Sequence, residues 1–200
     1  MQWPEKLEIY CDIYGTRGWE RGPEALNEAE MTLYCVRPFQ FEMSNGCFWA
    51  FLYNSSGDFA SETVHALRRI RADTSASLLS EAIQIYFRGL PVPCDVHERR
   101  RRLLKEIDGD HAAEADRVCH DYYEVDEPFD DLLLAYAQAN EAQFRLTEDE
   151  AATAQTLEGD WRQCTKCWDA WEQPQDETLA RCPACQALTL LRDVRPSGAA

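Results

Sequence analysis

SASLLSEAIQIYFR, running from Ser75 to Arg88, decides the fold. Its Leu78, Leu79, Ala82, Ile83, Ile85, Tyr86 and Phe87 recur at helical spacing but cover too many sides for a surface helix, so the stretch predicts a central helix of a helical core. Asp73 or Thr74 is the expected N-cap, and Gly89 with Pro91 and Pro93 the expected stop.

On the N-terminal side, Ala60 to Arg71 sets Val64, Leu67 and Ile70 on one stripe and turns Arg68, Arg69 and Arg71 away, as an amphipathic helix requires. Further back, a helical pattern from Glu24 to about Phe41 (Leu26, Ala29, Leu33) is expected to be interrupted at Pro38. A short buried helix follows, opened by Asn45 and closed by Ser55, Ser56 and Gly57. On the C-terminal side, Asp95 with Glu98 makes a capping-box pattern for a helix that carries Arg99, Arg100, Arg101 and Arg102 before Leu103 and Leu104. Four consecutive residues point all around a helix and cannot form one nucleic-acid face, so these arginines are expected to be solvated or to partner the acids that follow. Helical spacing continues through Val118, Tyr122 and Val125, then through Leu132, Leu133, Tyr136, Asn140 and Phe144 after Pro128. Thr147 with Glu150 repeats the capping box for a short helix to about Leu157. No strand-like alternation occurs before residue 160. The expected fold is an all-α bundle of about seven helices over residues 1–158, then a small β-rich module over 159–195 and a disordered tail over 196–200.

The chain carries a formal net charge of −16, and Lys105 to Asp160 holds nearly all of it, with 17 acids against Lys105, Arg117 and Arg145. The imbalance is local, and self-repulsion of this kind opposes folding, so it points to a purpose outside the fold. The acids singled out for partner binding are Asp108, Asp110, Glu114, Asp116, Asp121, Glu124, Asp126, Glu127, Asp130 and Asp131. The alternative is that they are the wet faces of ordinary helices. A sequence pI near 4.6 argues against direct nucleic-acid binding and for basic partners. No apolar run is long enough to span a membrane, and the first residues lack a basic start followed by an apolar stretch, so a cytoplasmic protein is expected.

Five of the nine cysteines, Cys11, Cys35, Cys47, Cys94 and Cys119, are scattered singly in apolar or mixed surroundings and are expected to be free thiols acting as small hydrophobes. The other four form Cys164-Thr165-Lys166-Cys167 and Cys182-Pro183-Ala184-Cys185. Two residues between thiols let a tight turn present both sulfurs to one ion, and two such turns complete a tetrahedral site. A segment of roughly 40 residues has too little core to fold alone, whereas structural zinc supplies about 10–16 kcal/mol of apparent binding free energy. The spacing predicts a zinc ribbon with short strands near Trp168 to Trp171 and from Leu188 to Arg192. A closed four-thiolate site leaves no position for a substrate water, so the zinc is expected to be structural.

No catalytic constellation stands out. Glu62 and His65 have the spacing used on di-iron bundles, but the second copy that chemistry needs is missing. His120 with Asp121 and Glu124 sits in a segment where carboxylates near any histidine are expected by chance. No phosphate loop or nucleophile motif occurs, and a non-enzymatic protein is expected.

The run NGCFWAFLYNSSGD, Asn45 to Asp58, resembles the signature of a bacterial domain family whose best-known member is DNA mimic protein nineteen. Asn45, Gly46, Phe48, Tyr53, Asn54 and Gly57 carry the match, and the family pattern has a second glycine where Cys47 stands, a glutamine at Ala50 and a Tyr-Phe pair at Phe51 and Leu52. The similarity extends from about residue 25 to 146, through Thr63 to Ile70, Ala82 to Phe87, and Leu133, Tyr136, Asn140 and Phe144. The resemblance implies an acidic all-helical bundle, monomeric or homodimeric, whose carboxylates counterfeit DNA phosphates and occupy the DNA-binding surface of a transcription factor or another nucleic-acid-binding protein. Two alternatives remain open: an immunity or antitoxin-like protein that plugs a basic toxin, and a zinc-ribbon regulator associated with nucleic acid. The zinc ribbon lies outside the family pattern.

Overall fold

In the computed structural model, residues 5–106, 112–156, 161–164, 170–172, 179–181 and 188–193 are described. The chain forms two compact units, one spanning Arg17–Phe144 and the other combining Met1–Thr16 with Arg145–Ala200. Among the described residues there are eight α-helices, and every strand lies after residue 160. No helix among them is long and apolar enough to cross a membrane.

The axis of the larger unit is α2 (Glu28–Tyr53). Asn27 starts it with a complete capping box, accepting from the Ala29 and Glu30 amides at 2.9 and 3.1 Å while Glu30 accepts from the Asn27 amide at 2.9 Å. Leu33, Val36, Phe39, Met43, Phe48, Phe51 and Leu52 are all fully buried along it. The expected break at Pro38 does not occur. Proline removes one rung of the helical ladder, at about 3 kcal/mol in a helix interior, and the apolar burial on either side outweighs that loss. The break falls instead at Gly46 (φ 175°, ψ 26°) and Cys47 (φ 59°, ψ −160°), beside the Asn45 that was expected to open a second helix. A Cβ on Gly46 would stand 2.8 Å from that of Ala50, so the kink admits no side chain there.

α3 (Ala60–Arg69) buries Val64 and Leu67 with Thr63 and Ala66, the stripe its spacing predicts. α4 (Asp73–Phe87) ends in the left-handed Arg88 (φ 53°) followed by Gly89 (φ 73°), at the predicted stop. It buries Ala76, Leu79, Ala82, Tyr86 and Phe87 but leaves Ile83 and Ile85 partly open, so it is not enclosed on every side. α5 (Val96–Glu106), α6 (Ala112–Tyr123) and α7 (Phe129–Ala139) complete this unit. The Asp95 carboxylate accepts from the Glu98 amide at 2.7 Å, half of the predicted box.

The smaller unit contains the first part of α1 (Glu5–Arg21) and α8 (Glu148–Thr156). The Thr147 capping box forms, with the Thr147 amide donating to Glu150 at 2.7 Å and the Glu150 amide to Thr147 at 3.3 Å. Four antiparallel strands follow: β1 (Trp161–Cys164), β2 (Ala170–Glu172), β3 (Leu179–Arg181) and β4 (Leu188–Asp193), ordered β2-β1-β4-β3. β4 covers the strand expected from Leu188 to Arg192, β2 overlaps the one expected near Trp168 to Trp171, and β1 and β3 are additional. Cys164 pairs with Leu191 and Arg181 with Leu188, so the links that follow β1 and precede β4 leave the same end of the sheet.

Candidate functional site

The described acids of the candidate surface lie on α6, on the link after it and on the first turn of α7. α6 turns Val118 into the core and sets Tyr122 edge-on against Phe39 and Phe48, with ring centroids at 6.0 and 5.5 Å. That choice of inner face leaves Glu114, Asp116 and Glu124 exposed on or just beyond the helix. Asp126 and Asp131 are exposed as well. Asp108 and Asp110 lie outside the described residues.

Three of the proposed partner-facing acids are engaged within the fold. Asp121 accepts from Arg117 at 2.6 Å, and Arg117 also pairs with Glu81 of α4. Asp130, though 81 % exposed, accepts from Arg37 at 2.9 Å and from Gln40 at 3.3 Å. Glu127 supplies the missing cap at the start of α4, where Ala72 holds the N-cap position: its carboxylate accepts from the Thr74 amide at 2.8 Å, the Ser75 amide at 3.1 Å and the Ser75 hydroxyl at 2.6 Å. This corrects the expectation that Asp73 or Thr74 caps the helix, since α4 has no side-chain cap of its own and borrows one from 52 residues downstream. It also withdraws Glu127 from any partner-facing set. The orphan amides of a helix start and its dipole both favour an anion there. Glu127→Ala is expected to cost about 1–2 kcal/mol, read as a lowered urea midpoint, whereas Glu124→Ala should stay within about 0.5 kcal/mol. Asp116, Glu124, Asp126 and Asp131 make no ion pair among the described residues.

Burial in the α2–α4–α6 core, assisted by Asp116, pushes the Tyr86 phenol up to about 12, and burial assisted by Glu127 and Tyr123 does the same for Tyr122. A phenol whose pKa is raised by folding contributes stability that is fully present below the unfolded value near 10 and is lost as the pH climbs through 12. Late-ionising tyrosines, Tyr34 among them because burial raises its phenol too, should appear in the phenolate absorbance titration, and unfolding should become easier across that window.

The arginine run is divided, with Arg99 buried, Arg100 and Arg102 half-buried and Arg101 exposed, and its partners precede it in the sequence. Arg99, 0 % exposed, donates to the Leu52, Pro93 and Asn54 carbonyls at 2.8, 3.0 and 3.1 Å and pairs with Asp58 at 2.5 Å. Arg100 donates to the Tyr53 carbonyl at 2.9 Å and stacks over its ring at 4.6 Å. Arg101 and Arg102 pair with Glu98. Two arginines thus satisfy the orphan carbonyls at the C-terminus of α2.

The Asn45–Asp58 motif builds the other side of that junction. Asn45 donates to the Phe41 carbonyl at 2.9 Å, Phe48 is core, and Asn54 donates to the buried Glu42 at 2.8 Å. A Cβ on Gly57 would lie 2.6 Å from the Leu52 oxygen and 3.0 Å from Arg99 Nε, which reserves that place for glycine. A family model described as DMP19-like protein matches residues 24–140, the span that contains this junction and most of the bundle. The chain belongs to the DMP19-like family. Comparison with curated proteins and with solved structures found no match.

In this DMP19-like chain the family motif is architectural, and it lies away from the exposed acids in the sequence. The structural roles of Glu127 and the particular partners of Arg99 and Arg100 are not legible in the sequence, because each acts on a segment 45 or more residues away. The cysteine expectation also needs correction: Cys47 and Cys119 form a disulfide across 72 residues with a Cα separation of 6.0 Å, while Cys35 and Cys94 are free and Cys11 is buried. Burial pushes the Cys35 thiol up to about 12. Cys164 ends β1, and Cys167, Cys182 and Cys185 lie outside the described residues. His65 and His120 are exposed, and among the described residues no three His, Cys, Asp or Glu side chains gather as metal ligands.

Proposed function

We propose that this DMP19-like chain is a non-enzymatic acidic interaction protein that works as a DNA mimic in the cytoplasm, binding the basic surface of a transcription factor or other nucleic-acid-binding protein. The observation that carries the proposal is the set Asp116, Glu124, Asp126 and Asp131, exposed on and beyond α6 with no ion pair among the described residues. Duplex DNA presents one charge per ~1.7 Å of axis, whereas acids one turn apart on a helix face recur only about every 5 Å, so these carboxylates offer a basic surface a sparser imitation of the phosphate array. The internal use of Asp121, Glu127 and Asp130 narrows the surface without abolishing it.

The test is capture on the immobilised full chain followed by competition. A mimic releases its partner to duplex DNA, binds it with a steep salt dependence, and loses at least tenfold in affinity when Asp116, Glu124, Asp126 and Asp131 are all converted to their amides. A partner that DNA cannot displace, or one indifferent to the four substitutions, would sink the proposal. Recovery of a nuclease toxin would assign the same surface to an immunity role.

We further propose that Cys164, Cys167, Cys182 and Cys185 hold one structural zinc. The two links that carry these pairs leave the same end of the antiparallel sheet, the arrangement a four-thiolate site needs. One zinc per chain is expected by metal analysis, with loss of the strand signal in circular dichroism on chelation. Purified chain without zinc and with unchanged strand signal would refute it.

A further inference from the structure

We propose that Cys47 and Cys119 form a redox-operated clasp, which sets how firmly α6 is held against the kink of α2. For its consequence on partner binding this rests on the acidic surface proposed above; the clasp itself does not.

Three observations carry it. The first is the backbone of Cys47. Its φ of 59° with ψ of −160° falls in a region that is essentially reserved for glycine. A thiol that served only to fill space would not need a position where its own Cβ is disfavoured, so the sulfur is there for the bond. The second is accessibility. Cys47 is buried at 5 %, whereas Cys119 is only half-buried on α6, so a small thiol can approach the bond from the Cys119 side. The third is the company it keeps. Cys35 and Cys94 are free thiols, Cys94 exposed, so among the described residues the Cys47–Cys119 bridge stands beside unoxidised thiols and not inside an oxidised framework.

The exchange balances with glutathione as reductant. A glutathione thiolate attacks Sγ of Cys119, forming a mixed disulfide and expelling Cys47 as a thiolate, which takes up a proton. A second glutathione thiolate attacks the glutathione sulfur of the mixed disulfide, releasing Cys119 as a thiolate that is likewise protonated, and glutathione disulfide departs. Oxidation by glutathione disulfide is the reverse. With the bond open, α6 keeps its Arg117–Glu81 pair to α4 and the Tyr122 contacts to α2, but loses the covalent tie at its middle. The exposed Asp116 that α6 carries is then free to shift with the helix.

The test uses the full chain equilibrated in glutathione buffers of opposite poise. Alkylation and mass measurement should count two fewer free thiols in the oxidised form. Amide exchange across residues 112–123 should be at least tenfold faster in the reduced form, and Cys119→Ser should match the reduced parent in both buffers. An oligolysine peptide should bind the two forms with dissociation constants differing at least threefold. Thiols that stay free in the oxidising buffer, or identical exchange in the two forms, would overturn the clasp. Unequal exchange with equal peptide affinity would overturn its control of the acidic face. If oligolysine fails to distinguish the parent from the four-amide variant, the acidic surface itself falls, and exchange alone decides the clasp.

Discussion

Replacing Arg99 with alanine is expected to lower the unfolding free energy of the helical unit by about 3–5 kcal/mol, a large share of the ~5–15 kcal/mol that typical domains possess. The guanidinium is fully buried, and its removal leaves the Leu52 and Pro93 carbonyls without the donor that now reaches them, the Asn54 carbonyl with the Gly57 amide alone, and Asp58 without its cation. Each buried acceptor left unsatisfied costs about 1–3 kcal/mol. Arg99→Lys should recover little of this, because a single ammonium cannot span acceptors that a planar fork reaches from separate nitrogens. Arg101 provides the control. Its side chain is 65 % exposed and pairs only with Glu98 one turn back, so Arg101→Ala should stay within about 0.5 kcal/mol. Urea denaturation of the three variants against the parent checks the ordering. A small effect at Arg99 would mean that water replaces it at the end of α2.

The second large effect is an inversion of stability order with redox state. Under oxidising conditions the parent should be the most stable form, since closing a loop across 72 residues contributes up to about 4 kcal/mol in the chain-entropy account. Cys47→Gly and Cys119→Ser both forfeit that contribution. They differ in the backbone: glycine relieves the ~1–3 kcal/mol of a disfavoured φ/ψ at position 47, offset in part by ~0.5–1 kcal/mol of extra chain entropy in the unfolded state. Under reducing conditions Cys47→Gly should therefore exceed the parent by about 1 kcal/mol, while Cys119→Ser should match it. Thermal or urea midpoints in both buffers decide the matter. A Cys47→Gly chain less stable than Cys119→Ser would show that the conformation at Cys47 is not disfavoured in this surrounding.

What could be read from the sequence and what could not divides by distance along the chain. The stripe of α3, the stop of α4 at Gly89 and the Thr147 box depend on residues within a turn or two of one another, and period and cap chemistry expose them. Pro38 misled because a local rule was applied where burial on both sides prevails. The cap from Glu127, the Arg99 junction and the Cys47–Cys119 bond each join segments 45 or more residues apart, and no periodicity announces such a partner. Arg99 and Arg101 are the same residue type two positions apart, and only the tertiary fold makes one a keystone and leaves the other on the surface. The acidity was legible as a charge count, but which acids the fold itself engages was not: Glu127 and Asp126 are adjacent in the sequence, and one accepts from the start of α4 while the other is exposed.

The borrowed caps of α2 and α4 also fix an order of events at the ribosome. Ser75 waits for an acceptor 52 residues downstream, which at ~5–20 residues per second of translation means about 3–10 s before Glu127 has been made. The carbonyl of Leu52 waits for Arg99, 47 residues on. During those seconds the growing polypeptide holds two helices with one open end each, and it is this half-finished species that a chaperone would meet.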